Sequence, residues 1–491
     1  MSGTLASSAG ARARPGAPRG SGFESARRAA IGDAVHALDA HREAALGDGP
    51  RAPLADALPR LLSGATAEGP LALERHLAAH GPLPPPPTPR RRQEPPLIAR
   101  VERAGLGGRG GAGFPAGRKL RAVAQARDRA VVVVNATEGE PASLKDRTLC
   151  EAVPHLMLDG ADLAAEAVDA DEVIVCACQT ATGSMRSLEI ALAERERRMD
   201  VRVRRELVPV PESYVAGQES ALVNFLSGGP AIPTFTPPLP SERGVRRRPT
   251  LVSNAETLAH IALIARHGSR WFRQLGTRSQ PGSTLVTLSG PLARPGVYEV
   301  ACGSSLASLI QAAGGTTAPV RGALFGGYAG AWLGAEELAE ARLCDEQLAP
   351  FGASIGAGVV ALLSAEACPV SETARIAHWL ATQSSRQCGP CVHGLRALAE
   401  EVGLLAAGGA ELNASRRVEQ LAAIVRGRGA CGHPDGGVRF ILSALRAFAA
   451  DFSEHARSGR CAACARQAEL ALPTGEGVSG RRPRAAQAMA R

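Results

Sequence analysis

The sequence predicts an α/β chain in three parts: a parallel-sheet domain, a small β-grasp-like module and a C-terminal helical bundle. Three observations predict it. The apolar run Val131–Val134 and the run Glu172–Cys178 have amphipathic stretches such as Leu158–Val168 between them, and strands alternating with helices imply parallel pairing. After Gly282 the style changes: STLVTLSG and PGVYEV read as strands, and SLASLIQAAGG reads as a helix. Beyond Gly356 the apolar residues of SETARIAHWLATQ and VRFILSALRAFAADF recur at helical spacing.

In chain order, residues 1–96 read as a low-complexity, weakly helical extension ending in the Pro- and Arg-rich linker Pro82–Pro96. Residues 97–275 form the α/β domain, 280–350 the β-grasp module, 356–470 the helical region and 471–491 a basic tail. No run of about 18 apolar residues occurs. Met1–Gly22 is Ser, Ala, Gly and Arg rather than an apolar leader. A cytoplasmic location without direct membrane insertion is therefore expected.

The net charge of +9 invites a nucleic-acid reading until it is located. Residues 1–100 carry 13 Arg against 9 acids, and residues 481–491 carry four Arg and no acid, which leaves +1 for everything between. A duplex-binding face belongs on the folded part of a chain, so no nucleic-acid partner is expected. Of 56 basic side chains only Lys119 and Lys145 are lysine, and both fall in glycine-rich motifs. A lysine kept where nearly every other cation is arginine suggests a site that wants a compact ammonium. Eleven cysteines are too sparse for a disulfide scaffold, and five of them lie after residue 387, which points to a metal or redox site. His76, His80 and His155 read as structural, and Cys150, Cys176 and Cys178 as small apolar groups.

Four motifs carry the chemistry. GLGGRGGAGFPAGRKL, Gly105–Leu120, has seven glycines in 13 residues, which frees the backbone to bring amide N–H groups against a phosphate or a flat polar ring. VVVVNATEGEPASLKDR, Val131–Arg147, places charged residues at the carboxyl end of a strand, where α/β folds bind ligands. SYVAGQESALVNFL, Ser213–Leu226, is the third. In PTLVSNAETLAHI, Pro249–Ile261, Asn254 precedes a helix whose N-terminus suits a phosphate.

At these motifs the chain resembles the NADH-oxidising flavoprotein subunit of bacterial respiratory complex I, with related subunits in hydrogenases and formate dehydrogenases. The family patterns are close to GRGGAGFPTGxKW, NADExEPGTxKDR, YxxGEETALxxxLEG and PTxVNNVETL, and the resemblance covers about residues 97–455. It implies an FMN-binding α/β domain, a soluble-ligand-binding β-grasp domain and a helical bundle holding a 4Fe–4S cluster. The implied FMN contacts are Gly108, Arg109, Gly110, Gly111 and Gly113 with Lys119, then Asn135, Glu138, Tyr214 and Gly217, with Asn254 and Thr257 at the phosphate. Phe114, Glu140 and Glu219 are the implied contacts of NAD(P)H, the implied donor. A ferredoxin, a membrane-bound reductase or respiratory subunits are the implied partners. Because the flavin supplies the redox chemistry, no acid–base pair is expected.

Several departures fall on the coenzyme side. Thr137 and Gln218 stand where the family has carboxylates, Leu120 and Leu239 where it has aromatics, and Thr236 where it has lysine. Lost stacking area and charge weaken NADH binding in its usual pose. The cluster motif also departs. Against the family's SCGxCxPCR this chain reads SSRQCGPCVHG, so Cys388 and Cys391 match two ligands, Cys431 in ACGHPDG a third, and Ser385 takes the place of the fourth. A 4Fe–4S cluster takes four thiolates. Cys461 (or Cys464) is the first candidate for the missing one, Cys368 the second, and Ser385 or water the third. Zinc held by Cys388, Cys391, Cys461 and Cys464 is an alternative for the metal, and a non-catalytic interaction subunit is an alternative for the whole.

Overall fold

A computed structural model of the chain describes residues 58–66, 69–84, 96–198, 203–409 and 413–473. Most of the basic tail and of the N-terminal extension lie outside them. Four parallel strands form the first sheet, in the order β3-β2-β1-β4: β1 Ala130–Ala136, β2 Ala170–Cys178, β3 Arg204–Val210 and β4 Thr250–Asn254. The unbroken apolar run of β1 reflects burial on both faces. Val132 and Val134 enter one core, and Val131 and Val133 enter another beneath helix Glu219–Leu226. On the larger core, helix α1 (Pro154–Ala167) crosses helix α2 (Ala255–Phe272) so closely that Gly160 lies against the backbone of Leu258.

Residues assigned from sequence to an extension are partly built into this core. Leu61, Leu62 and Leu71 are buried in it, and the amides of Arg60 and Leu61 donate to the buried Glu299 carboxylate at 2.8 Å. His76 Nε2 meets Asp159 Oδ2 at 2.7 Å, and Asp159 is also paired with Arg195 and Arg266. His155 bonds Glu194 at 3.0 Å. Both histidines are structural, and Cys150 and Cys176 are fully buried.

The second sheet is mixed, in the order β6-β5-β9-β7-β8, from β5 (Ser283–Ser289), β6 (Gly296–Ala301), β7 (Val320–Phe325), β8 (Ala331–Gly334) and β9 (Val359–Ser364). Its central strand β9 lies beyond the expected boundary at residue 350. VVALLS is too short and too uniformly apolar to reveal a period, so the sequence left it with the helical region. Alternation along the strands serves two cores. Val360 and Leu362 face helix Leu306–Ala312, while Val359, Ala361 and Leu363 face the C-terminal helices. Those helices are α3 (Pro369–Thr382), α4 (Leu395–Ala407), α5 (Ala414–Val425), α6 (His433–Ala447) and α7 (Ala449–Ser458). No described helix is long and apolar enough to cross a membrane.

Candidate flavin and cluster site

The carboxyl ends of β1 and β4 place Asn135 beside Asn254 in register. Asn135 Nδ2 donates to the Gly217 carbonyl at 2.7 Å, and its Oδ1 accepts from the Thr137 hydroxyl at 2.8 Å. Asn254 caps α2, with Oδ1 accepting from the Glu256 amide at 3.0 Å, and its Nδ2 donates to Asp146 Oδ2 at 2.6 Å. Above these ends lies a cavity of about 370 Å³ lined by Arg109, Gly110, Gly111, Asn135, Glu138, Glu140, Lys145, Tyr214, Gly217, Asn254, Gly356, Cys431 and His433 among others. That volume falls in the range of small-molecule sites. The glycine loop keeps the cavity open: Gly111 has φ +105°, and a side chain there would point toward Gly356 across it.

The structure divides the residues expected at the flavin. Gly110, Gly111, Arg109, Asn135, Glu138, Tyr214, Gly217 and Asn254 line one cavity. Gly108, Gly113, Lys119 and Thr257 stand behind it. The Gly108 amide closes the loop onto the Phe114 carbonyl at 2.8 Å, and Thr257 Oγ1 accepts from the Arg109 amide at 2.8 Å. Lys119 Nζ is taken up by Glu219 Oε2 and the Val252 carbonyl, each at 2.8 Å. Of the expected coenzyme contacts only Glu140 borders the cavity; Glu219 is held by Lys119, and Phe114 is half-exposed with Arg118 over its ring.

Lys145 is the residue that sequence reasoning undervalued. Its buried ammonium meets Asp146 Oδ1 at 2.8 Å, Glu256 Oε2 at 3.0 Å and Asn254 Oδ1 at 3.3 Å at the cavity wall. Burial alone would raise the Glu256 carboxyl, but Lys145, with Arg109 and His260, holds it down at about 2. The scarcity of lysine was the available signal. Glu138, at φ +43°, accepts from the Asp146 and Arg147 amides at 2.9 and 3.0 Å and so fixes the start of the helix that carries Lys145.

Glu140 is buried, accepts from the Tyr328 amide at 2.9 Å and lies beside the Tyr214 hydroxyl; burial pushes its carboxyl up to about 7. The unfolded chain ionises this group near pH 4.5, whereas the folded chain resists until about 7. Its contribution to stability is therefore present in acid and lost as pH rises through 7. Glu140→Gln should raise the free energy of urea unfolding more at pH 8 than at pH 5, by up to roughly 3 kcal/mol. An equal shift at both pH values would refute this account.

One of the expected cluster ligands reaches the same cavity. Cys431 and His433 are on its wall, with the His433 ring 5.5 Å from that of Tyr214 and its Nε2 bonded to the Leu380 carbonyl at 2.9 Å. Cys388 sits on the turn after α3, and Cys391 on the π-helical turn Pro390–Gly394 that leads into α4. Burial pushes the Cys391 thiol up to about 12, helped by the neighbouring Cys388 and Cys431 and opposed by a hydrogen bond from Ser384. Arg386 keeps φ +56° at the position where the family motif has glycine. Three thiols thus gather beside the cavity, and the position matching the fourth is Ser385.

Cys461 does not join them. Its Sγ belongs to a separate group with Cys368, His455 and Cys464, whose ligand atoms all lie within 4.8 Å of one another. The reason is the turn at Gly459, φ +80°, which ends α7 and folds the chain back toward the start of α3. The same placement removes both the proposed rescue by Cys464 or Cys368 and the zinc set that joined Cys388 and Cys391 to Cys461 and Cys464.

Comparison with known proteins places the regions of the chain in known families. Residues 101–263 match the family described as the Nuo51 FMN-binding domain, 285–325 the SLBB domain, and 371–455 the NADH-ubiquinone oxidoreductase-F iron-sulfur binding region. An NADH-quinone oxidoreductase subunit of Rhizobium meliloti (strain 1021) is 31% identical over 378 residues, which cover 74% of this chain and 90% of that protein. The chain belongs to the Nuo51-type NADH-quinone oxidoreductase family. Like other Nuo51-type chains it is an oxidoreductase of the NADH-dehydrogenase type, with FMN and a 4Fe–4S cluster as the cofactors of its matched regions. The NADP-reducing hydrogenase subunit HndC of Solidesulfovibrio fructosivorans is 28% identical, covering 75% of this chain and 77% of that one. A solved NAD+-reducing [NiFe]-hydrogenase in its H2-reduced state matches with TM-score 0.69 and 32% identity over 74% of this chain, which spans 63% of the length of the matched hydrogenase chain.

Proposed function

We propose that this Nuo51-type chain takes electrons from NAD(P)H at the cavity and passes them to the centre at Cys388, Cys391 and Cys431. From there they leave for a ferredoxin, a membrane-bound reductase or respiratory subunits in the cytoplasm. One observation carries the reading: Cys431 and His433 line the same cavity as Gly111, Asn135 and Asn254. A redox ligand on the wall of the flavin cavity makes donor and acceptor neighbours.

The residues present suit both groups. Open glycine backbone, the Asn135 and Asn254 amides and a buried ammonium match a polar ring and phosphate. The three thiols suit a cluster whose fourth position has lost its cysteine. When bound, FMN supplies the conversion between two-electron and one-electron chemistry. The chain's own work is positional. Asn135 holds the Gly217 carbonyl, Glu138 fixes the Lys145 helix, and the edge-on stack of Tyr214 on Trp379, 5.3 Å between centroids, closes the apolar side.

The donor rests on the names of the relatives and on Glu140 at the cavity rim. Adding NADH and, separately, NADPH under anaerobic conditions to the purified chain should bleach the flavin with at least one of them. Failure with both removes NAD(P)H as the direct donor. In Cys431→Ser the flavin should still bleach, while delivery to a one-electron acceptor protein falls more than about tenfold. Undiminished delivery would remove Cys431 from the route.

A further inference from the structure

The geometry points to a second metal centre, a closed zinc site formed by Cys368, His455, Cys461 and Cys464, that clamps the segment after α7 onto the start of α3. These residues are separate from the flavin cavity and from the group at Cys388, Cys391 and Cys431.

The distances favour one ion over a bare thiol cluster. Cys464 Sγ lies 3.6 Å from Cys461 Sγ and 3.5 Å from Cys368 Sγ, and His455 Nε2 lies 3.5 Å from Cys368 Sγ and 3.7 Å from Cys464 Sγ. A tetrahedral zinc with sulfur at about 2.3 Å and nitrogen at about 2.0–2.1 Å requires sulfurs about 3.8 Å apart and sulfur–nitrogen pairs about 3.6 Å apart. Four of the six pairs already stand near those spacings, and all four atoms lie within 4.8 Å of one another. All four positions are protein ligands, so no corner is left for water or substrate, which makes the site structural rather than catalytic.

The surroundings also suit a metal. His455 presents Nε2 to the sulfurs while its Nδ1 lies 3.1 Å from the Leu405 carbonyl, the outer hydrogen bond that fixes a ligating imidazole. The Ser371 amide approaches Cys368 Sγ at 3.4 Å, at the N-terminus of α3, where a thiolate is favoured. Cys368 and His455 are buried, and Cys461 and Cys464 are partly accessible on the returning stretch of chain.

The clamp has a purpose in the fold. Beyond Cys464, the Glu469 amide donates to Glu372 Oε1 at 2.9 Å and its carboxylate accepts from the Ser364 amide at 2.9 Å. Arg375 donates to the Leu470 carbonyl, and the Tyr328 hydroxyl to the Ala471 carbonyl. Tyr328 stacks edge-on with Trp379, and Trp379 with Tyr214 on the flavin cavity. The stretch beyond the short 3-10 turn Ala462–Ala465, itself without regular secondary structure, is thereby fixed behind the rings that border the cavity.

Metal analysis of the full chain, purified under reducing anaerobic conditions, should find about one zinc per chain in addition to iron, the count of a single four-ligand site. Cys464→Ser and His455→Gln should each lower zinc at least about tenfold and leave iron unchanged, whereas Cys431→Ser should lower iron and leave zinc. X-ray absorption at the zinc edge of the unaltered protein needs no variant, and should show three sulfurs at about 2.3 Å and one nitrogen at about 2.0–2.1 Å. Absence of zinc from the unaltered protein, a zinc shell without sulfur, or a disulfide within Cys368, Cys461 and Cys464 would overturn the assignment. So would loss of iron rather than zinc in Cys464→Ser.

Discussion

Replacing Gly160 by alanine should cost the fold at least about 3 kcal/mol, an unusually large effect for one methyl group. An ideal Cβ at Gly160 would lie 1.8 Å from the Leu258 carbonyl oxygen and 2.4 Å from its carbon. Both are backbone atoms of α2, so no rotamer change can relieve the clash. The helices would have to separate by more than 1 Å along a contact that buries Leu158, Ala161, Leu258 and Ala262. Because Asn254 caps α2 at the cavity floor, the shift would also disturb the flavin site. Urea unfolding and the flavin-to-protein ratio check this together. A midpoint within experimental error of the parent would show that the helix pair yields, and would remove close packing as the reason for glycine there.

Lys145→Met is the second large effect. Methionine keeps much of the stem, which runs beside Gly358, but removes the ammonium from between Asp146 and Glu256. Two buried carboxylates are then left with Arg109 at 3.8 Å and the Asn254 amide among their remaining partners. Breaking a buried pair in this way costs about 3–5 kcal/mol. FMN content should fall with it, since Asn254 is positioned by the same cluster. Lys145→Arg should recover less than half of the loss, because a planar fork cannot occupy a site shaped for three converging acceptors. Full recovery by arginine would show that charge alone matters.

These two positions also separate what can be read along a chain from what cannot. The glycine loop, the strand ending at Asn135 and the Asn254 helix start were legible because each is a local pattern with a local cause: positive φ, apolar periodicity and a cap. The importance of lysine was half legible. Scarcity marked both lysines, but only the fold shows that Lys119 is spent on Glu219 and the Val252 carbonyl while Lys145 stands at the cavity. Gly160 carried no signal at all, since its neighbour Leu258 is 98 positions away in the chain and a glycine inside a helix looks like a defect until the partner helix is seen.

By itself, then, the sequence determined the parallel-sheet domain, the flavin motifs and the three cysteines beside them, because short-range chemistry demands those residues at those spacings. Only the tertiary structure decided which cysteines belong together. Cys388, Cys391 and Cys431 neighbour one another, with Cys431 on the cavity wall, while the turn at Gly459 carries Cys461 and Cys464 to Cys368 and His455. Thiol chemistry is the same in both groups. Ligand sets are chosen by where the chain returns in space, and residues nearly a hundred apart become neighbours through packing that no spacing rule encodes.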